Sequence, residues 1–324
     1  MKTKIIIVKP IKTDKEMLKY EGSYIDQKYY KNNIIDYDCD LYCLIDGKKQ
    51  LIFKYRRGVI PDKISNLAVE CFKQTAKTKK ENRGAASGPI SRKKLPNYVG
   101  NLHKKTKYRT YYYTRSNNKL SKRQVSNYAM SNIVGFYDYP KNHPNVKLGN
   151  PCKPTQFITK YPKKWERCLL VMQTINNLYK KYCSNIYNIQ EKKTKNIQNF
   201  IIPKTVFSTL TVNYSWRTAV HQDKHNIKNK EGITAQIVCD DPKNPNKYKG
   251  CYLGFPQVGY CIDIKQGDLL LMDNKSGWHG NTEFISVGKP VGTNKDIKNK
   301  WHYSRLSLIC YLREGIVKYG NDIN

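Results

Sequence analysis

The sequence has no long apolar stretch of the kind that crosses or enters a membrane. Its apolar runs, such as Ile5–Val8 and Leu269–Met272, are four residues long, far short of the roughly 20 residues that a membrane-spanning helix needs. The apolar part of Met1–Pro10 is also too short for the core of a secretory signal peptide. We therefore expect neither a membrane span nor secretion.

Paired cysteines are lacking as well. The chain has 10 cysteines but no Cys-x-x-Cys motif, and its closest pair, Cys39 and Cys43, has three residues between them. Structural zinc sites need closely spaced pairs of Cys or His, so we expect no structural zinc. Free, buried thiols in a reducing compartment are the simplest interpretation. Glycine-rich phosphate loops of the P-loop or Rossmann type are missing too.

Acidic residues are few, and the basic excess is concentrated in one region. The chain has 59 Lys and Arg against 25 Asp and Glu, a formal net charge of +34. An AT-rich genome would raise the lysine content whatever the function, so the distribution tells more than the total. Residues 73–123 contain 16 Lys and Arg but one acidic residue, Glu81, and aromatic residues alternate with the cations, as in Lys107–Arg115.

Cations with rings between them suit phosphate neutralisation and base stacking. We therefore predict that residues 73–124 bind nucleic acid, with a solvated basic loop as the alternative. The residues expected on the DNA backbone are Arg92, Lys93 and Lys94.

Aromatic content and periodicity predict a folded, mainly β chain. The 26 Tyr, 8 Phe and 4 Trp supply material for a core. Residues 1–72 alternate short apolar runs with turns and then show helical spacing, which predicts a β-rich and helical part packed on the core. Residues 162–183 predict the best helix, with proline at its start. The later strand-like runs, which favour an antiparallel barrel or jelly roll, are Phe200–Ile202, Val206–Tyr214, Arg217–Gln222, Ile233–Cys239, Gly259–Ile264, Asp268–Met272 and Leu306–Leu312.

Two short motifs predict a metal site. His221 and Asp223 are two apart at the end of a strand-like run, so their side chains point to one face. His279 lies in a second motif, Gly-Trp-His-Gly-Asn. Two histidines and one carboxylate leave room on an iron for a cosubstrate and O₂, as in non-haem Fe(II) oxygenases. A core histidine and a turn aspartate are the alternative interpretation of these residues.

A carboxylate site is predicted on the last strand-like run. Arg305 and Ser307 share one face, and a guanidinium fork with a neighbouring hydroxyl can hold the distal carboxylate of 2-oxoglutarate. The order of these motifs therefore predicts a 2-oxoglutarate/Fe(II) dioxygenase with His221, Asp223 and His279 as catalytic iron ligands.

Several segments in order then resemble a known family: Phe207–Asn213, Arg217–Asp223, Gly267–Asp268, His279–Thr282 and Arg305–Arg313. They look like the TET/JBP family, whose members hydroxylate the 5-methyl group of 5-methylcytosine or thymine in DNA. The resemblance covers about residues 55–315. It implies a double-stranded β-helix with flanking helices over residues 125–320, a bound Fe(II) with 2-oxoglutarate and O₂, and a target nucleotide flipped from the duplex.

The same resemblance implies further site residues. Asn213 matches a position that touches the cosubstrate, and Asn226 matches one that reads the base. Tyr311 would stack on the flipped base, and Arg313 would reach its ring edge. TET proteins have histidine at the place of Arg313, so the chain looks closer to the JBP side. The alternatives are a turn residue for Asn226, a core tyrosine for Tyr311 and a phosphate contact for Arg313.

The expected partner is double-stranded DNA with a 5-methylpyrimidine, bound by a monomer inside the cell, in the nucleus or wherever that DNA lies. Arg313 can only donate hydrogen bonds, which suits the ring N3 of cytosine, whereas the motifs favour thymine, so both stay open. Two other classes remain: a dioxygenase acting on RNA or a protein side chain, and a non-catalytic DNA-binding module. The intact set of His221, Asp223, His279 and Arg305 argues against the second.

Overall fold

A computed structural model describes residues 3–80, 83–90, 107–108, 110–116, 119–125, 127, 129–140, 142–243, 247–287 and 305–321 of the chain. Arg92, Lys93 and Lys94 lie outside these residues, and their role stays a prediction. Among the helices of the described ranges, none combines the length and the apolar character that a membrane span requires.

The helices are α1 (Asp14–Met17), α2 (Asp62–Ala76), α3 (Pro144–Lys147), α4 (Gln156–Lys160), α5 (Pro162–Tyr182), α6 (Ser184–Thr194) and α7 (Glu314–Asn321). The strands are β1 (Lys4–Val8), β2 (Ile34–Ile35), β3 (Cys39–Ile45), β4 (Lys48–Arg56), β5 (Lys79–Lys80), β6 (Thr110–Ser116), β7 (Lys119–Val125), β8 (Ala129–Asp138), β9 (Cys152–Pro154), β10 (Thr209–Tyr214), β11 (Thr234–Asp240), β12 (Lys247–Gly250), β13 (Leu253–Phe255), β14 (Tyr260–Ile262), β15 (Leu269–Met272), β16 (Gly280–Asn281), β17 (Phe284–Val287) and β18 (Arg305–Tyr311). Short 3₁₀ turns include Gly84–Ser87 and Lys195–Phe200.

A ten-stranded sheet forms the body of the fold, in the order β1-β3-β4-β15-β11-β18-β10-β8-β5 with β9 also paired to β8. Its central pairings, from β3 to β8, are antiparallel. A second sheet of four short strands has the order β16-β13-β14-β2. The N-terminal strands β3 and β4 belong to the large sheet and β2 to the small one, so residues before α2 are part of the same two-sheet body. Two facing sheets that join sequence-distant strands form a jelly roll.

The strands of the large sheet carry different chemistry on their two faces, as the period-two geometry of a strand requires. On β18, Leu306, Leu308 and Cys310 point into the core under the helices. Ser307 and Tyr311 point the other way, into a cavity between the sheets. One strand therefore stabilises the core and supplies polar groups to the cavity.

Helices α2 and α5 cover the face of the large sheet opposite the cavity. The predicted helix 162–183 is confirmed as α5, with Pro162 in its first turn and Val171, Met172 and Ile175 buried. Phe72 of α2 lies in the same cluster. Each such side chain contributes about 1.5–3 kcal/mol when fully buried, so this layer holds the sheet that carries the site.

The space between the two sheets is apolar at one end and polar at the other. At the apolar end, Phe53 and Met272 of the large sheet pack with Leu253 and Ile262 of the small one. Towards β18, β10 and β8 the same face of the large sheet carries hydroxyl and amide groups instead. The sheets are therefore packed together at one end and leave a polar cavity at the other.

Two predicted strands are wrong. Phe200 ends a 3₁₀ turn, and the Ile202 N–H donates to the Phe207 carbonyl at 2.8 Å, closing a tight loop around Pro203. Among Arg217–Gln222, His221 forms an isolated bridge and no residue joins a strand. N–H groups of this stretch donate to separate segments: Ala219 to Ala86 at 3.1 Å and Val220 to Ser23 at 2.9 Å. Tertiary contacts thus take the place of a neighbouring strand.

Candidate active site

The polar end of the jelly roll holds a solvent-connected cavity of about 590 Å³. Its floor is the inner face of β8, β10 and β18, and its opposite wall includes residues of β13 and β16. The residues lining it include nearly all of the predicted site: Asn213, His221, Asp223, Asn226, His279, Ser307, Tyr311 and Arg313.

His221 and His279 are brought together by a two-residue antiparallel bridge. The His221 N–H donates to the His279 carbonyl at 2.9 Å, and the His279 N–H donates back to the His221 carbonyl at 3.1 Å. Gly280 permits this approach, because a Cβ at that position would lie 2.9 Å from the Val220 nitrogen. The two imidazole rings consequently lie with their centroids 4.3 Å apart.

Both histidines are held in the tautomer that a metal ligand needs. The Nδ1 of His221 lies 2.8 Å from the Ala219 carbonyl oxygen, and the Nδ1 of His279 lies 2.9 Å from that of Gly277. A carbonyl oxygen only accepts, so each Nδ1 carries a proton, which leaves Nε2 as the metal-binding nitrogen of the neutral ring. This backbone contact is the usual outer support of a ligating imidazole.

Asp223 completes a three-residue cluster. Its Oδ1 is 3.5 Å from Nε2 of His221 and its Oδ2 is 4.0 Å from Nε2 of His279. Candidate ligand atoms of the three side chains lie within 4.8 Å of one another. Two imidazole lone pairs facing a carboxylate at these separations fit an Fe(II) ion, which neutralises their mutual repulsion.

The charges of Asp223 and His279 agree with that fit. Burial raises the pKa of Asp223, but the hydrogen bond and charge of His221 outweigh it and lower this pKa to about 2. Burial, with the neighbouring charge of His221, lowers the pKa of His279 to about 4. Burial also opposes charge on His221, yet its hydrogen bond to Asp223 leaves the pKa raised. At neutral pH Asp223 is anionic and His279 neutral, which are the protonation states of ligands.

Asn274, which the sequence interpretation missed, holds Asp223 in place. Its carbonyl accepts the Asp223 N–H at 2.8 Å, and its Nδ2 donates to Asp223 Oδ2 at 3.0 Å. The loop bearing Asn274 is itself fixed, since Asp273 Oδ1 accepts the N–H groups of Lys275 and Ser276, each at 3.1 Å. Only the Asp-Asn dipeptide after β15 marks this turn in the sequence.

The residues predicted for 2-oxoglutarate lie in one row on the cavity side of the sheet. Asn213 and Ser307 stand directly opposite each other in the β10–β18 ladder, with Nδ2 of Asn213 3.5 Å from the Ser307 hydroxyl. The Ser131 hydroxyl donates to Oδ1 of Asn213. Arg305 follows on the same face of β18, buried and opposite Asp240 of β11. Burial raises the pKa of Asp240, and the Arg305 guanidinium opposes that shift without reversing it.

The predicted base-contacting residues also lie together. Asn226 and Arg313 are joined by an antiparallel bridge. The Asn226 amide donates to Thr234 Oγ1 at 2.9 Å, and Arg313 forms an ion pair with Asp138. The Tyr311 hydroxyl lies 3.4 Å from Thr211 Oγ1, and both residues line the cavity.

Arg83 is a further cavity residue to which the sequence interpretation assigned no role. Burial lowers the pKa of its guanidinium, while the nearby Tyr311 and Asp223 raise it. Its Nε is buried, and no group in the described part of the chain accepts a hydrogen bond from it. In the sequence, Arg83 begins a glycine-containing segment, Arg-Gly-Ala-Ala-Ser-Gly, which is a pointer to this part of the site.

A jelly roll with this donor set belongs to the class of 2-oxoglutarate/Fe(II)-dependent oxygenases. Comparison with known proteins agrees: the Tet_JBP family model, described as the oxygenase domain of the 2OGFeDO superfamily, matches residues 132–314. That match covers more than half of the chain, and the chain belongs to this family. The predicted family and enzyme class are thereby confirmed.

Curated relatives are similar over the same region. The chain is 31% identical over 209 residues to the bifunctional helicase and thymine dioxygenase JBP2 of Trypanosoma brucei brucei, which covers 62% of this chain and 17% of that protein. It is 27% identical over 186 residues to thymine dioxygenase JBP1 of the same organism, covering 57% and 19%. The chain thus spans less than a fifth of each of these relatives.

The fold also matches a solved structure. NgTET1 in complex with 5mC DNA superposes with a TM-score of 0.52 at 11% sequence identity, covering 97% of this chain and 84% of that one. At this sequence identity the match shows the fold alone, and it confirms the predicted double-stranded β-helix.

Proposed function

We propose that the protein hydroxylates the 5-methyl group of a pyrimidine in DNA, with Fe(II), 2-oxoglutarate and O₂. The observation that carries the proposal is the placement of His221, Asp223 and His279 in the wall of one cavity with Tyr311 and Arg313. Relatives named thymine dioxygenases and a structural neighbour bound to 5mC DNA support DNA as the substrate class.

The iron would be held by Nε2 of His221, Nε2 of His279 and the carboxylate of Asp223, whose tautomers and charges suit it. Bound iron and 2-oxoglutarate supply the oxidation, in which O₂ is consumed, 2-oxoglutarate becomes succinate and CO₂, and one oxygen atom enters the methyl group. Arg305 and Ser307 would bind the distal carboxylate of the cosubstrate.

Asn213 would orient the Ser307 hydroxyl through the contact already present between them. Ser131 holds the other end of the same amide, so the three side chains form a fixed row on the cavity floor. Such a row lowers the entropy lost when the cosubstrate binds, because the hydroxyl already points to one place.

The target base must leave the duplex to reach this cavity, which costs a few kcal/mol. Tyr311 would offset part of that cost by stacking, while Asn226 and Arg313 contact the polar edge of the base. Asp138 fixes the guanidinium of Arg313 through their ion pair, so its donors are oriented before the base arrives. Both candidate bases carry an acceptor for it: N3 in 5-methylcytosine and a carbonyl in thymine.

Residues 73–124 would bind the phosphates on either side of the target base. The protein would act as a monomer inside the cell, in the compartment that holds its DNA. Neutralising Arg92, Lys93 and Lys94 together should weaken binding of all DNA sequences alike. The slope of log affinity against log salt should fall by up to about 0.9 for each duplex phosphate that the variant no longer neutralises. Equal slopes in the variant and the wild type would make this stretch a solvated loop.

Nucleoside mass spectrometry tests the function. Matched duplexes, one with 5-methylcytosine and one with thymine at the same position, are incubated with iron, 2-oxoglutarate and air. We expect the 5-hydroxymethyl product from one or both duplexes in the wild type and from neither in Asp223→Ala. Absence of modified base in both duplexes, with succinate still formed, would refute DNA as the substrate.

A further inference from the structure

A row of aromatic side chains continues from the cavity along β8 towards the protein surface. Ser131, Ile133 and Tyr137 line the cavity, and Tyr139 follows on the same side at the two-residue period of an extended chain. The ring centroids of Tyr137 and Tyr139 are 6.1 Å apart. The imidazole of His143 stacks on Tyr139, with centroids 4.0 Å apart and planes at 18°. We refer to Tyr137, Tyr139 and His143 as the aromatic rim.

A lysine lies over this rim. Lys153 of β9 stands directly opposite Tyr137 in the β8–β9 ladder, so the two side chains share a face. Its Nζ lies 5.0 Å from the ring centroid of Tyr137 and 4.3 Å from that of Tyr139. Within the described residues no carboxylate forms an ion pair with this amine, so its charge is available to an anionic ligand.

The rim is anchored to the cavity rather than free to move away from it. Asp138, between the two tyrosines, forms the ion pair with Arg313 in the cavity wall. The Tyr139 N–H donates to the Pro151 carbonyl at 2.8 Å. His143 caps α3, since its Nδ1 accepts the N–H of Asn145 at 3.2 Å. The rings therefore keep a set position relative to the site.

We propose that the aromatic rim stacks the base next to the flipped nucleotide when Lys153 turns from the rings to a neighbouring phosphate. The inference rests on the proposed function, because it takes the cavity as the place of the flipped base. Flat rings beside a cation form the surface that binds single-stranded nucleic acid. Flipping removes one stacking partner from each neighbouring base, and a protein ring can take that place.

The proposal is tested by combining a substitution in the aromatic rim with the removal of one base from the DNA. Single-stranded oligonucleotides carry one 5-methylpyrimidine, and the base on one side or the other is replaced by an abasic residue. Affinity is measured with Mn(II) and 2-oxoglutarate present, so that no turnover occurs. Wild type should lose on the order of tenfold in affinity when one particular neighbour is abasic. Tyr139→Ala should bind the intact strand about tenfold more weakly than wild type does. Removal of that neighbouring base should then weaken its binding no further.

Two further variants sharpen the result. Tyr139→Phe keeps a ring, so its affinity should fall as much as that of wild type when the neighbouring base is abasic. Lys153→Ala should lower the salt slope by about 0.7 on single strands. Lys180→Ala is the control, because its Nζ lies 5.2 Å from the Tyr187 ring and 3.9 Å from Glu191 Oε1 on the helical layer, across the sheet from the cavity. It should leave the salt slope unchanged.

Several outcomes overturn the inference. If Tyr139→Ala lowers affinity relative to wild type equally on intact and on abasic strands, the Tyr139 ring contacts no neighbouring base. An equal salt slope in Lys153→Ala and Lys180→Ala would remove the phosphate contact, and this test holds even if Tyr139→Ala fails to fold. If wild type hydroxylates methylated DNA but shows no abasic position with reduced affinity, the rim proposal alone fails. If wild type makes no modified base, the proposed function fails with it.

Discussion

Removal of the Asn274 side chain tests whether a residue outside the metal sphere sets the iron affinity. Its amide donates to Asp223 Oδ2 at 3.0 Å, and a hydrogen bond to a charged group contributes about 1.5–3 kcal/mol. The second contact between these residues, from the Asp223 N–H to the Asn274 carbonyl at 2.8 Å, belongs to the backbone and survives in Asn274→Ala. We therefore expect a correctly folded variant that binds metal about 10–100-fold more weakly.

Calorimetric titration with Mn(II) in the presence of 2-oxoglutarate measures this loss. Asn132→Ala is the control: it deletes the same kind of amide, which donates to Thr75 Oγ1 at 3.1 Å on the face of β8 opposite the cavity. That variant should keep the wild-type metal affinity, whatever its effect on stability. Wild-type affinity in Asn274→Ala, or an equal loss in Asn132→Ala, would refute the orienting role of Asn274.

Three other substitutions probe different parts of the site. Arg305→Ala should raise the 2-oxoglutarate requirement for succinate formation well over tenfold, since loss of one partner of a buried ion pair costs about 2–5 kcal/mol; an unchanged requirement would mean that another cation binds the cosubstrate. Gly280→Ala should lower both thermal stability and Mn(II) affinity, because the new Cβ would lie 2.9 Å from the Val220 nitrogen and push the His279 bridge apart; wild-type values for both would contradict this. Asp138→Asn should raise KM for methylated DNA several-fold by releasing Arg313, while succinate formation without DNA stays constant; an unchanged KM would show that Arg313 needs no support.

The sequence predicted those parts of the site in which residue spacing alone determines where the side chains point. His221 and Asp223 are two residues apart in the sequence, and β18 alternates core and cavity residues along its length. Such patterns follow from the period of an extended chain alone. The long helix α5 was predicted for the same reason, because its buried residues recur with helical spacing.

The remainder depends on interactions between distant segments. The N–H groups of Ala219 and Val220 are bound by the carbonyls of Ala86 and Ser23, which strand periodicity does not encode. Helix α6 escaped prediction because two of its buried residues, Gln190 and Thr194, are polar. Gln190 there accepts from the Tyr179 hydroxyl at 3.0 Å and donates to the Val206 carbonyl at 2.8 Å. Asn274 acquires its role only when the loop after β15 meets Asp223.

The most direct test of the proposed activity is the stoichiometry between cosubstrate and product on methylated DNA. Succinate and the 5-hydroxymethyl base are quantified from one reaction run under isotopically labelled dioxygen. We predict that the two form in equal amounts, that the new hydroxyl carries the label, and that His279→Ala forms neither. Succinate without modified base, or a modified base formed in the absence of 2-oxoglutarate, would contradict the assignment of this cavity as a DNA 5-methylpyrimidine dioxygenase site.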